Sequence, residues 1–435
     1  MLLNPQQLET ELLASPVAQR LERLPESYVW PRYEGRSVAN VPATIGHLLG
    51  VEQGWASSPL QEALWQDLSE GVERVVFLLV DGVGWRRLWD VVAQKDQAFL
   101  SFLAKQGAKV CPITTTSPAT TSVATTTYWG NGATPAQHGM LGYTFLLAQY
   151  SALCNMLFWK PVGHRKSAPG ELLRWGIKPE TFLPIPSIAQ VLARQGIPTT
   201  SIMPQQIIHS PLSAMQMRGA EVCGYLNDTD FWSNLQSWLQ NNQNKQAYCY
   251  LYYPDFDSFS HRDGPNARSW ESLWRTFRFH WQTLLDGLSA AARKKTILII
   301  SADHGHVHCP PAKRYFLDQH PQLTRHFSFM PGGEPRHAYL YARPGHKEAI
   351  REYCETHFAA DFHLLSSTDA LQAGLYGSPT AFHPDAERRL GEFVLLSKGG
   401  ATIWHQAPDK KLIGMHGSLE PEEMIVPFIA LRLDH

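Results

Sequence analysis

Three apolar runs in this chain end in residues of types that can bind metal ions. "VVFLLV" (Val75 to Val80) runs into Asp81 and Gly82, and "AYCYLYYPDFDSFSH" leads to Asp255, Asp257 and His261. "TILIISADHG" delivers Asp303, His304 and Gly305. A continuous apolar run, rather than an alternating one, reads as a parallel strand buried on both faces. In open α/β sheets the crevice beyond the carboxyl ends of such strands is where ligands bind. A single aspartate there is explained equally well as a helix cap. Three buried strands that each bring carboxylate or imidazole to one edge of one sheet point instead to a metal site.

A second set of groups is suited to phosphoryl chemistry. In "PITTTSPATTSVATTTYWG" the residues Thr114, Thr115, Thr116, Ser117, Thr120, Thr121 and Ser122 all carry hydroxyls. Pro118 suits the first turn of a helix, with Thr116 or Ser117 near its N-cap. Free N–H groups and the helix dipole at such a terminus favour phosphate. A hydroxyl held there by a metal ion is an activated nucleophile. Taken alone, each of these hydroxyls reads as a capping group. Near the far end, "GMHGSLEPEEMIVPFIAL" offers His416 as a further ligand.

The elements that must position these groups alternate between strand and helix. "PSIAQVLARQGIP" predicts a helix stopped by Gly196, and "TTSIM" the next strand, which is the parallel-sheet pattern. The expected fold is α/β, a mainly parallel central sheet flanked by helices with an inserted cap. Residues 1–70 are expected to form a flanking segment, with helical periodicity in "LETELLASPVAQRLERL" interrupted by Pro16. Residues 71–310 and 411–435 form the expected catalytic core. The cap is expected over 311–410, where "RHAYLYARPGHKEAIREYCETHF" and "GEFVLLSKGG" carry strand and helix signals of their own.

Composition narrows the partners. With Lys+Arg 38 against Asp+Glu 39 the chain lacks the basic stripe that bulk nucleic-acid binding needs. No 18-residue apolar run occurs, and the amino terminus lacks the pattern of a signal peptide. The six cysteines contain no CxxC pair and suggest no disulfide framework. A soluble, cytoplasmic protein is therefore expected, acting on a small phosphorylated substrate and not on a membrane. No GxSxG elbow is present, which disfavours serine-hydrolase chemistry.

The ordered set of strand-DG, a Thr-rich segment followed by "QHG", "DFDSFSH", "ADHG" and a terminal "MHGS" resembles the alkaline phosphatase superfamily, most closely its nucleotide pyrophosphatase/phosphodiesterase branch. The resemblance covers about 75–310 and 410–431. Each piece is common alone; five in this order are specific. It implies one metal held by Asp257, His261 and His416, and another held by Asp81, Asp303 and His304 with the nucleophile bridging toward it. The family's Thr, any residue, Pro pattern selects Thr116 as nucleophile and metal-facing group, with Thr115 and Ser117 as alternative registers. Asp255 is expected beside the ligands rather than among them.

The resemblance implies a two-metal phosphoesterase that hydrolyses a phosphodiester or nucleotide pyrophosphate through a phospho-threonine. Phosphomonoesterase or sugar-phosphate mutase activity is the alternative, and a non-catalytic metal-stabilised binding protein comes last. Two divalent ions clamp the attacking and leaving oxygens of an in-line displacement. Carboxylate and imidazole donors suit Zn²⁺ first and Mn²⁺ second. Where that branch carries an Asn after the Pro, this chain has Ala119, so monoester and diester both stay open; Asn131 or a backbone N–H is the candidate substitute. His306 and His308 are expected outside the ligand set, and His138 in a turn. Arg336 and Arg343 lie in the expected cap, where arginine can meet an anionic substrate.

Overall fold

The computed structural model describes residues 4–14, 21, 24–163, 167–408 and 412–434. Among these, seven strands form a central sheet in the order Lys109–Thr114, Ile425–Arg432, Thr296–Ser301, Arg74–Val80, Ala247–Tyr253, Thr199–Pro204 and Glu221–Tyr225. Ile425–Arg432 runs antiparallel to both neighbours, and the remaining pairings are parallel. The fold is thus the mainly parallel α/β sheet that the apolar runs predict. Arg74–Val80 is buried along its whole length, because strands flank it on both sides and helices cover its faces.

Register decides where the chemistry goes. Val80 pairs with Tyr253, and Leu79 with Ser301, so three strands end level with one another. Asp81 and Asp303 therefore emerge at the same edge. The third strand feeds a helix at once: Asp255–Asp263 begins two residues after Tyr253. The four-residue spacing of Asp257 and His261 places both on one helix face.

A second sheet joins strands of the expected cap to strands before it. It runs Phe362–Ser366, Phe393–Ser397, His337–Ala342, Phe327–Glu334, Thr144–Leu147, Ala152–Asn155 and Lys160–Pro161, with antiparallel pairing throughout. The strands within 327–397 therefore share one sheet with those within 144–161. The reason is an otherwise open strand edge at Phe327–Glu334, which the Thr144–Leu147 hairpin covers. The helix expected in the amino-terminal segment is present as Pro5–Leu13, capped by Asn4. Pro16 and residues 15–20 and 22–23 of that expectation lie outside the described residues.

Candidate metal centre

At the carboxyl edge of the central sheet two groups of ligand atoms face each other. Asp81, Asp303 and His304 make one group, and Asp257, His261, His306 and His416 the other; within each, the ligand atoms lie within 4.8 Å of one another. All six side chains expected as metal ligands besides Thr116 are brought together. His306, expected outside the set, joins them, and its Nε2 lies 3.0 Å from Asp257 Oδ1. His308, two residues on, is exposed.

Close backbone approach makes this convergence possible. Gly82 adopts φ 75°, and a Cβ there would sit 2.7 Å from both Asp257 Cα and His306 Cε1. Only glycine fits. Gly414–Met415 pairs antiparallel with Val307–His308, which brings His416 against the Asp303 to His306 loop.

The four imidazoles are held alike. Nδ1 faces a backbone carbonyl in each: Gly414 at 2.8 Å for His261, Gly305 at 3.1 Å for His304, Gly82 at 3.3 Å for His306 and Ala119 at 2.8 Å for His416. Such a carbonyl fixes the proton on Nδ1 and leaves Nε2 as a free lone pair, the usual arrangement behind a metal-binding histidine. The carboxylates show the same division of labour. Asp303 Oδ1 accepts from the Gly82 N–H at 3.1 Å and the His304 N–H at 3.0 Å. Tyr252 donates its hydroxyl to Asp81 Oδ2.

What remains is a set of unsatisfied atoms aimed inward. Among the described residues, Asp81 Oδ1, Asp257 Oδ1, Asp303 Oδ2 and His306 Nε2 are buried without an aligned hydrogen-bond partner. Burial, reinforced by Asp303 and Asp257, pushes the Asp81 carboxyl well above its usual range. Burial also acts to raise Asp257, but His261 and His306 outweigh it and hold that carboxyl well below its usual range. Burial and the neighbouring His304, His261 and His306 keep His416 far from protonation. Crowded carboxylates and imidazoles whose inward-facing atoms lack aligned partners are costly to bury unless cations compensate them. The donor set therefore fits two divalent ions.

The hydroxyl segment departs from its expected register. The helix starts at Thr121, with Thr120 as an extended N-cap, rather than at Pro118. Thr116 is fully buried and donates its hydroxyl to the Pro118 carbonyl at 3.1 Å. Thr115 donates to the Asp303 carbonyl. Ser117 Oγ is buried without a partner among the described residues and belongs to neither ligand group. Thr121 is the hydroxyl at the site: its Oγ1 lies 3.0 Å from His304 Nε2 and 3.5 Å from Asp81 Oδ2. The available signal was the Thr120–Thr121 pair opening the helical run "TSVATTTYW", with one threonine to cap and the next to face the crevice.

Other expected participants lie elsewhere. Asn131 takes φ 51° and donates its side-chain amide to the Gly54 carbonyl at 2.8 Å, which holds a loop. His138 is buried, with Nε2 3.0 Å from the Thr127 hydroxyl and Nδ1 accepting from the Met140 N–H at 3.0 Å. That is the turn role expected of it. Asp255 opens the helix that carries Asp257 and stands outside both ligand groups. Arg336 is fully buried against Glu423, and the pair satisfies both charges inside the protein. Arg343 is exposed and donates to the Phe327 carbonyl at 3.0 Å.

A mainly parallel sheet with two groups of candidate ligand side chains and a threonine hydroxyl at its carboxyl edge is the alkaline-phosphatase-like arrangement. The sequence matches the type I phosphodiesterase/nucleotide pyrophosphatase family over residues 75–419, and the chain belongs to that family. No curated protein sequence matches the chain. Among solved structures, murine ectonucleotide pyrophosphatase/phosphodiesterase 5, an inactive threonine-to-alanine variant in complex with AMP, is similar at TM-score 0.61 and 16% identity, over 82% of this chain and 88% of that one. The human counterpart gives TM-score 0.60 and 16% identity over 82% and 87%. Phosphonoacetate hydrolase from Sinorhizobium meliloti 1021, in complex with phosphonoformate, gives 0.56 and 15% over 82% and 89%.

Proposed function

We propose that this chain is a two-metal phosphoesterase that cleaves a phosphodiester or nucleotide pyrophosphate through a phosphorylated Thr121. The observation that carries this reading is the Thr121 hydroxyl, 3.0 Å from His304 Nε2 at the mouth of the Asp81, Asp303 and His304 group. Asp81, Asp303 and His304 would hold one ion, and Asp257, His261, His306 and His416 the other. When bound, two such ions supply Lewis-acid stabilisation of charge on the phosphoryl oxygens and on the attacking and leaving oxygens.

The chain's own residues then have distinct tasks. Thr121 Oγ forms a bond to phosphorus as the bond to the leaving oxygen breaks, and the hydroxyl proton goes to solvent. Water next attacks the phosphothreonine, breaking the Oγ–P bond and restoring the hydroxyl. Tyr252 holds Asp81 in place throughout. The helix Thr121–Trp129 presents its amino-terminal N–H groups where an anion is favoured.

A small phosphorylated substrate agrees with the AMP and phosphonoformate bound to the structural neighbours. The inactive threonine-to-alanine variant of the murine neighbour supports a threonine nucleophile. Zinc is the proposed ion on its donor set, with manganese second. Six free thiols support a cytoplasmic setting.

The test is a substrate panel on purified, metal-reconstituted protein: bis-p-nitrophenyl phosphate, p-nitrophenyl phosphate and dinucleoside polyphosphates, each with Zn²⁺ or Mn²⁺. Diester or pyrophosphate turnover well above monoester turnover is expected. Faster monoester release would overturn the diester assignment.

A further inference from the structure

The hairpin tip between Phe327–Glu334 and His337–Ala342 inserts from the second sheet into the loops that carry the metal ligands. Arg336 is fully buried and grips Glu423 with two hydrogen bonds, Nε to Oε2 at 2.9 Å and Nη2 to Oε1 at 2.7 Å. The same Glu423 carboxylate accepts the Ser418 N–H at 3.0 Å and the Glu420 N–H at 3.2 Å. Its backbone carbonyl accepts the Gly305 N–H at 3.0 Å. One glutamate thus ties the residue after His304 to the segment just past His416.

Neighbours on the tip hold the residue between them. His337 is fully buried, with Nδ1 3.1 Å from the Gly417 carbonyl and Nε2 2.7 Å from the Tyr376 hydroxyl. A Cβ on Gly417 would lie 3.1 Å from Glu334 Cβ, so the tip and the loop touch directly. Gly417 and Ser418, which follow His416, are both fixed from the second sheet.

We infer that Arg336 is a positioning residue for the metal centre: acting through Glu423, it sets the spacing between the loops that carry His304 and His416. The inference rests on the two-metal reading. A buried ion pair is not by itself a source of stability, since well-packed apolar replacements often match or exceed it. The pair is therefore better explained by what it holds: the carboxylate fixes the Ser418 and Glu420 N–H groups just past His416, and the anchored Glu423 backbone carbonyl receives the Gly305 N–H beside His304. Partners behind metal ligands typically carry about 10–100-fold in metal affinity.

The experiment measures Zn²⁺ affinity of chelator-stripped full-length protein by competition with a chromogenic chelator, alongside thermal unfolding. Arg336→Met leaves Glu423 unpaired and should weaken zinc binding about tenfold or more. Because that variant can unfold, Arg336→Met/Glu423→Leu is made as well; it removes both charges and the Ser418 acceptor together. The double variant should regain much of the lost stability yet keep the weakened affinity. Arg336→Lys, which retains the charge, should recover part of the affinity. Arg432→Met serves as a control, since Arg432 pairs with Asp434 at the opposite end of the strands from the ligands and should leave affinity unchanged. Wild-type affinity in a folded double variant would overturn the inference. Zinc uptake below two ions per wild-type chain would instead defeat the two-metal reading, and this inference with it.

Discussion

The imidazoles of His304 and His416 stack with ring centroids 3.6 Å apart, although they belong to different ligand groups. The two groups are therefore one continuous wall and not separate pockets. His306 extends that wall: its ring lies 5.3 Å from His304 and 5.2 Å from His416. The predictions below test that arrangement residue by residue.

His306→Ala should lower divalent-ion affinity by at least about tenfold, because Asp257 loses the imidazole nearest its free oxygen. His308→Ala, which removes an exposed ring, should not. Chelator competition and elemental analysis of the reconstituted proteins decide the matter. Equal affinity for both variants would remove His306 from the ligand set.

Thr121→Ala should keep its metals and lose about a thousandfold or more in kcat, since the covalent route disappears while the carboxylates and imidazoles remain. Thr121→Ser should retain part of the activity. Thr116→Ala loses only a hydrogen bond to Pro118 and should stay within about tenfold of wild type. Sequencing a trapped phosphopeptide provides the direct check, and a phosphate on Thr116 would restore the register expected from the sequence.

Gly82→Ala should abolish tight metal binding even where the protein folds. The added carbon would sit 2.7 Å from both Asp257 Cα and His306 Cε1, and its backbone φ of 75° disfavours alanine as well. Equilibrium dialysis with Zn²⁺ measures this, and two ions retained at wild-type affinity would contradict the close-approach argument.

Glu334 gives a signed pH prediction. Burial pushes its carboxyl up to about 8, with the Tyr143 N–H, the Thr120 hydroxyl and His261 opposing. A carboxyl raised on folding favours the native state fully below its unfolded pKa of about 4.3, and that contribution is lost as pH rises through the folded value. Metal-free wild type should therefore lose stability between about pH 5.5 and 7.5, at roughly 1.4 kcal/mol per pH unit from this group. Urea unfolding of Glu334→Gln over the same range should show a slope shallower by about that amount. Asp81 contributes with the same sign in both proteins, so the difference between them isolates Glu334. Parallel slopes would show that the carboxyl is ionised throughout.

The chemistry was legible in the sequence wherever one strand delivered it. Asp81 and Asp303 follow continuous apolar runs, and Asp257 and His261 share a helix face through their spacing alone. His306 was not legible, because its approach depends on Gly82 and on a loop whose path is set by distant pairing. The Thr121 register was hidden for a related reason: seven hydroxyls crowd Thr114 to Ser122, and only the tertiary start of the helix selects among them. The burial of Arg336 was not legible, because its partner Glu423 lies 87 residues away. The second sheet escaped notice at 144–161, where the strands are four residues or shorter and carry little periodic signal.

The strand Ile425–Arg432 lies inside the central sheet, between Lys109–Thr114 and Thr296–Ser301. While the polypeptide is being synthesised, those two partners are complete long before the strand that must separate them. Until it emerges, both present bare edges that can pair wrongly with each other or with a neighbouring nascent chain. His416, Glu423 and the strand itself leave the ribosome together, so the last ligand, its clamp and the closing strand reach the fold in one late step. Metal competence therefore waits on the same strand that closes the sheet, and in the interval before that strand arrives the edges of its two partners are open to mispairing.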